Sequence, residues 1–292
     1  MTFPRRLFPV ALAAALLLAS ASLAAFRNLA PGEYRLARAW AEIAWVETAQ
    51  RFSRPGRAAT ARPLPLVDHV AHAGGGIGGR TYTNSLEALD SNYLRGFRLF
   101  ETDMEWTSDG HLVLVHDWSE ETGLSQSKGG PATRAEFFAA AKGRGSTRLD
   151  MDGLAAWMTA HPDAYVITDI KSRNMAALRR IWDHYPAIRK NIIPQIYFFT
   201  EYARARAIGY DAIILTLYAA GYPDGPVIAF AARHSLAAVT IPIQRGLSPL
   251  PAALARSGIP VFVHTVNDRD ALRGLRENGA GAVYTDFLSP GD

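Results

Sequence analysis

Between residues 66 and 286 the chain alternates short apolar runs with longer stretches whose apolar positions recur every three or four residues. The short runs are LVDHVAH, FRLFETDME, HLVLVHD, AYVITDIK, IIPQIYFF, AIILTLY, AAVTIPI, PVFVHTV and AGAVYTD. Their length and their β-branched and aromatic content predict strands. NSLEALDSNYLRG, NMAALRRIWDHY, EYARARAIG, GPVIAFAARHS, PLPAALARSG and DRDALRGLRENG read as the helices between them, the first with Asn84 as cap and Gly96 as stop. The SDG turn signal at 108–110 makes HLVLVHD an extension of the second strand unit. Eight βα units in about 225 residues predict an α/β fold, a (β/α)8 TIM barrel rather than an open doubly wound sheet.

The pattern divides the chain into residues 1–26, 27–65 and 66–292. Arg5 and Arg6 precede a stretch with no charge from Leu7 to Phe26, which reads as a secretory signal peptide or a retained membrane anchor. Either puts the rest of the chain outside the cytoplasm, periplasmic or extracellular, and the anchor would give membrane association through the N-terminus. Pro31 to Phe52 reads as an extra amphipathic helix, with Leu36, Trp40, Ile43 and Val46 on one face. SRPGRAATARPLP is a linker. The last predicted strand ends close to Asp292, leaving no room for the usual final barrel helix, so the Leu36-to-Val46 helix is expected to substitute for it.

Composition narrows the chemistry. The 292 residues are 49% apolar and 20% charged, the balance of a folded globular protein. The absence of cysteine excludes disulfides and thiolate metal sites. A formal charge of +4 suits anionic partners, while no basic run interleaved with aromatics points to nucleic acid.

In a barrel, reactive groups sit where strands end at the C-terminal face. His72 closes the first strand, Glu101 and Asp103 lie on the second with Glu105 beyond, and His116 closes the extension. Asp169 and Lys171 close the third strand, Gln195 and Tyr197 lie on the fourth, Tyr218 ends the fifth, and His264 closes the seventh. Carboxylates at i and i+2 share one strand face and can share one ion, with Asp169 from the adjoining strand as a third ligand. Oxygen donors without thiolates favour a divalent Mg²⁺ or Ca²⁺. Lys171 can present positive charge to phosphate, and two histidines beside such a cluster can divide acid and base work. Gln195, Tyr197 and His264, with Lys171, are candidates for contacting substrate. HAGGGIGGR resembles a phosphate cradle but lacks a following Gly-Lys-Ser/Thr. His69, His111, His161, His184 and His234 are assigned to surface or packing roles.

The order HAGG, TNSLEAL, FETDMEWTSDG, VHDW, ITDIK, HTVND and GAVYTDF resembles the glycerophosphodiester phosphodiesterase family, from about Val67 to Leu288. The resemblance implies a (β/α)8 barrel that hydrolyses glycerophosphodiesters with a divalent cation and two histidines. By position it implies Glu101, Asp103 and Asp169 as metal ligands, His72 and His116 as the acid–base pair, and Lys171 on the phosphate. It also implies attack by a neighbouring substrate hydroxyl, with His72 as base, His116 as acid and a cyclic phosphate opened by water. The chain departs from the family at Ala73, where Arg is usual, with Arg80 as a candidate replacement. It departs again at Thr83 and Asp169, where Glu is usual, and at His264, where Trp is common. An Asp at the third ligand position also occurs in spider-venom-type phospholipases D, which act as lyases. Alternatives are therefore a lyase that stops at the cyclic phosphate and a non-catalytic barrel that binds a phosphorylated ligand.

Overall fold

The computed structural model describes residues 27–28, 30–52, 62–65, 67–118, 131–140 and 145–292. The predicted signal or anchor segment and most of the linker lie outside them. Eight parallel strands form a closed barrel: β1 (His69–Ala71), β2 (Leu99–Trp106), β4 (Tyr165–Asp169), β5 (Ile192–Ile196), β6 (Ile214–Thr216), β7 (Ala238–Pro242), β8 (Val261–His264) and β9 (Ala282–Thr285). The barrel closes where Ala71 of β1 pairs with Phe100 of β2. β3 (Leu112–Leu114) runs antiparallel along the end of β2, Met104 opposite Leu114, as the SDG turn predicts. The (β/α)8 expectation holds.

Period-two alternation sorts each strand into an outward and an inward set. On β2, Phe100 joins the apolar layer beneath the helices, whereas Leu99 joins the barrel interior with Val70, Ile167, Ile193, Ile214, Ala238, Phe262 and Ala282. Two residues further along, the same inward rows carry His72, Glu101, Asp169, Gln195, Thr216, Thr240, His264 and Tyr284. An apolar floor thus supports a polar layer at the C-terminal face.

Helices α2 (Leu86–Leu94), α3 (Arg134–Ala140), α4 (Met151–Ala160), α5 (Asn174–His184), α6 (Phe199–Ile208), α7 (Asp224–Arg233), α8 (Ile243–Gly246), α9 (Leu250–Arg256) and α10 (Arg269–Glu277) fill the crossovers. The cap of α2 is Ser85, whose side chain accepts from Ala88 N, and not Asn84. Asn84 stands one residue earlier with φ +45° and turns its amide toward β2.

The extra helix α1 (Pro31–Phe52) has the predicted bounds but another buried face. Ala39, Ile43 and Val46 are buried, whereas Leu36 and Trp40 are 42% and 41% exposed. The small Ala39 lets α1 approach α6 and α7, and Arg233 to Glu47 (3.0 Å) and Arg38 to the Ala220 carbonyl (2.7 Å) secure it. This corrects the expected substitution. Among the described residues no helix follows β9, and α1 packs beside the β5 and β6 crossovers, across the barrel from the end of β9. The chain after β9 is instead held by Arg95, which donates to the carbonyls of Phe287 (2.9 Å) and Leu288 (3.2 Å). Among the described residues no helix is long and apolar enough to cross a membrane.

Candidate active site

The β2–β4 register sets Asp103 directly beside Asp169, and Glu101 lies one inward step below. Ligand oxygens of the three carboxylates lie within 4.8 Å of one another. Glu101 and Asp103 are each 3% exposed, and the Asp169 side chain is only 12% exposed. Burial, then Asp103 and Asp169, pushes Glu101 well above the usual carboxylate range. Burial and Asp103 raise Asp169 in the same way, against a hydrogen bond from Tyr197 and the charge of Lys171. Lys171 Nζ stands 3.7 Å from Asp103 and 4.0 Å from Asp169, one cation against three acids. A further positive charge relieves that repulsion, and an all-carboxylate donor set fits a hard divalent ion. Glu105, accepting from Ser172 Oγ at 2.9 Å, stays outside the cluster.

Several groups hold the acids in place. Ala73, itself at φ +50°, donates its N–H to Glu101 at 2.9 Å. Asn84 grips Asp103 twice: its Nδ2 donates to the carboxylate at 3.0 Å and its Oδ1 accepts the Asp103 N–H at 3.1 Å. Tyr197 and Tyr218 both donate their hydroxyls to Asp169 Oδ1, Tyr218 at 2.8 Å. Burial, then the Asp169 charge, raises both phenols, so they stay protonated donors. Tyr197, predicted as a substrate contact, is thus placed on a carboxylate of the cluster.

His72 faces this cluster from β1. Its Nδ1 bonds Asp286 at 2.9 Å, and Asp286 in turn accepts from Asn267 Nδ2 at 2.8 Å. Asn267 Oδ1 accepts the Asp286 N–H, completing the brace. With Nδ1 so engaged, the Nε2 of His72 is the nitrogen left for proton transfer. Asn267 and Asp286 stand in the HTVND and GAVYTDF motifs, whose local pattern gives neither residue a role. The signal was available in TDF, because closure sets the last strand beside the first. The backbone bond from Val115 N to Asp103 O, 3.1 Å, carries His116 back over the end of β2. Tyr82, at φ +54°, lays its ring against both imidazoles, with centroid distances of 4.7 Å to His72 and 4.6 Å to His116.

Of the remaining candidates, Gln195 and His264 line a cavity of about 30 Å³ together with His72, Glu101 and Asp169. Gln195 is buried and accepts from the Tyr284 hydroxyl at 3.2 Å. Burial and the nearby His72 lower His264 to about 4, so it is neutral at neutral pH, and its Nε2 has no partner among the described residues. In the glycine loop the N–H groups of Gly75 and Gly76 are taken by the carbonyls of His72 and Asp286 and are not offered to a phosphate. Gly75 is required there, because a Cβ would lie 2.3 Å from the Asn92 amide. Arg80 lines a different cavity, with Tyr82, Leu114 and Arg148, whose lining includes none of the three carboxylates.

Residues 75–193 match the profile of the Glycerophosphoryl diester phosphodiesterase family. No curated protein matches the chain. Among solved structures, a glycerophosphodiester phosphodiesterase from Thermotoga maritima is 21% identical, with TM-score 0.58, covering 75% of this chain and 94% of its own. One from Parabacteroides distasonis is 15% identical, with TM-score 0.58 and coverage of 76% and 93%. An Oleispira antarctica phosphodiesterase in complex with the product sn-glycerol-3-phosphate is 16% identical, with TM-score 0.53 and coverage of 76% and 94%. The likeness to these structures establishes a shared fold, and the profile match falls on the loop, strand and hairpin that build the site. Residues 75–193 thus carry the glycerophosphoryl diester phosphodiesterase profile, on a barrel fold shared with these structures.

Proposed function

We propose that this protein is a metal-dependent phosphoric diester hydrolase acting on glycerophosphodiesters or related phospholipid head-group diesters outside the cytoplasm. The observation that carries the reading is the meeting of His72, braced by Asp286, with the buried Glu101–Asp103–Asp169 cluster at one barrel mouth. The product bound by the Oleispira relative supports glycerophosphodiesters as the substrate class. The uncharged stretch from Leu7 to Phe26 behind Arg5 and Arg6 supports export, with membrane association where that stretch is retained.

Glu101, Asp103 and Asp169 would hold Mg²⁺ or Ca²⁺, which when bound neutralises charge on phosphoryl oxygens. Nε2 of His72 takes the proton of a substrate hydroxyl neighbouring the phosphate, and that oxygen bonds to phosphorus as the bond to the leaving alcohol breaks. His116 supplies the proton the alcohol needs. Water then opens the cyclic diester with the proton roles reversed, giving a phosphomonoester. Lys171 adds positive charge beside the phosphate, and His264 offers a neutral hydrogen-bonding wall.

His72→Ala and His116→Ala are each expected to lower kcat on a panel of glycerophosphodiesters by about 10²- to 10⁴-fold while circular dichroism stays unchanged. Chelation should abolish turnover, Mg²⁺ or Ca²⁺ should restore it, and phosphorus NMR should end on a monoester signal. Near-wild-type turnover in either histidine variant overturns the acid–base assignment. A cyclic phosphate that persists overturns hydrolysis.

A further inference from the structure

The 30 Å³ cavity over the carboxylates has room for little beyond the reacting phosphoryl region, so both alcohols of a diester must extend elsewhere. A second cavity of about 550 Å³ adjoins it, sharing Tyr218 as a wall and bounded by Lys171 and Tyr197. That volume lies in the range of small-molecule sites.

Its lining has a definite chemistry. Arg173 and Arg204 join Lys171 there, and among the described residues neither arginine makes an ion pair within 4 Å. Arg173 adopts φ +50°, uncommon for a non-glycine residue, with its guanidinium 4.6 Å above the Trp106 ring. The one acid, Glu201, is turned to the chain: it accepts from Tyr197 N at 2.8 Å and Phe198 N at 3.3 Å. Arg173 is also the N-cap of α5 and supplies no side-chain cap, so the first turn of that helix adds its positive end to the cavity wall. Asn174, in that turn, is 6% exposed, and its Oδ1 has no partner among the described residues. An unpaired buried acceptor calls for a donor such as a hydroxyl.

We infer that this cavity is the subsite for the second alcohol of the diester and that it takes an anionic polyol, an alcohol carrying further hydroxyls and its own phosphate. Arg173, Arg204 and the end of α5 face the phosphate, Asn174 Oδ1 accepts a hydroxyl, and Phe198 and Tyr218 cover the carbon skeleton. Cationic head groups such as choline meet like charge here. The inference rests on the phosphodiesterase reading above and names its substrate.

The test compares sn-glycero-3-phosphoglycerol with the same diester bearing a terminal phosphate, and with glycerophosphocholine. The phosphorylated diester is expected to have a kcat/KM about tenfold above its unphosphorylated partner, the size of one charge-assisted contact. Arg173→Gln with Arg204→Gln should bring that ratio to near one, and Arg173→Ala with Arg204→Ala provides a second pair should the first misfold. Calorimetric titration of the phosphorylated diester into His72→Ala, with and without the arginine changes, reads the same site without turnover. Equal kcat/KM for the two diesters, or a ratio the arginine changes leave alone, overturns the subsite while leaving the phosphodiesterase reading intact. Arginine-dependent binding with no turnover of any diester by the wild-type protein overturns the phosphodiesterase reading and keeps the subsite. Neither binding nor turnover overturns both.

Discussion

Asp169 carries two tyrosine hydroxyls on a single oxygen, Oδ1, which leaves Oδ2 as the oxygen turned toward Lys171 and the other acids. Groups that orient a metal-binding carboxylate affect cation affinity more directly than the chemical step. Tyr218→Phe should therefore raise the cation concentration for half-maximal activity by about tenfold and leave kcat at saturating cation little changed. A drop in kcat with unchanged cation dependence would assign the hydroxyl to the substrate instead. Glu101 and Asp103 were readable as a pair because alternation on a strand needs no tertiary information. The grip of Asn84 on Asp103 was not, because an Asn before a helix reads first as a cap. Only the fold shows that Ser85 caps the helix and frees Asn84.

Strands were legible as elements because each couples β-branched residues to the period that buries one face. The extra helix was legible in extent but not in orientation. Its sequence holds more large apolar residues than one face can bury, and Leu36, Trp40 and Trp45 remain exposed. Ile43, 2% exposed against α6 and α7, is the residue that secures α1. Ile43→Ala should cost about 2–4 kcal/mol in denaturant unfolding. A loss below about 0.5 kcal/mol, typical of surface changes, would mean that α1 is not part of the cooperative fold. The loop 75–84 was the least legible segment. Its glycines suggested a phosphate cradle, yet the N–H groups of Gly75 and Gly76 close the loop on His72 and Asp286, and Tyr82 further along lies against both histidines.

For the protein as a unit, the concentrated negative charge links stability to pH and to cation. Glu101 and Asp169 are raised in the folded state, so they bind protons more tightly there than in the unfolded chain. Without cation, stability therefore falls as pH rises from the unfolded carboxylate range, about 4, through the folded values. At pH 7, cation at about 100 times its Kd should add about 2.7 kcal/mol. For a chain of this size that moves Tm upward by at least about 4 °C. The shift should shrink toward pH 5 as protons compete for the same oxygens. A Tm indifferent to Mg²⁺ and Ca²⁺ at pH 7, or a shift that grows on acidification, would contradict a carboxylate cation site.

The order of strands and helices, the barrel class, the inward placement of Glu101 and Asp103 and the pairing of His116 with the β2 hairpin were all set by local periodicity and turn chemistry. Those are short-range properties that a strand or turn carries wherever it folds. Barrel closure decided the rest. It brought Asp286 to His72 across 214 residues of chain, set two phenols on Asp169 and opened the basic cavity beside it. Contacts between residues so distant in sequence leave no period to read, because they depend on which strand ends meet when the sheet closes.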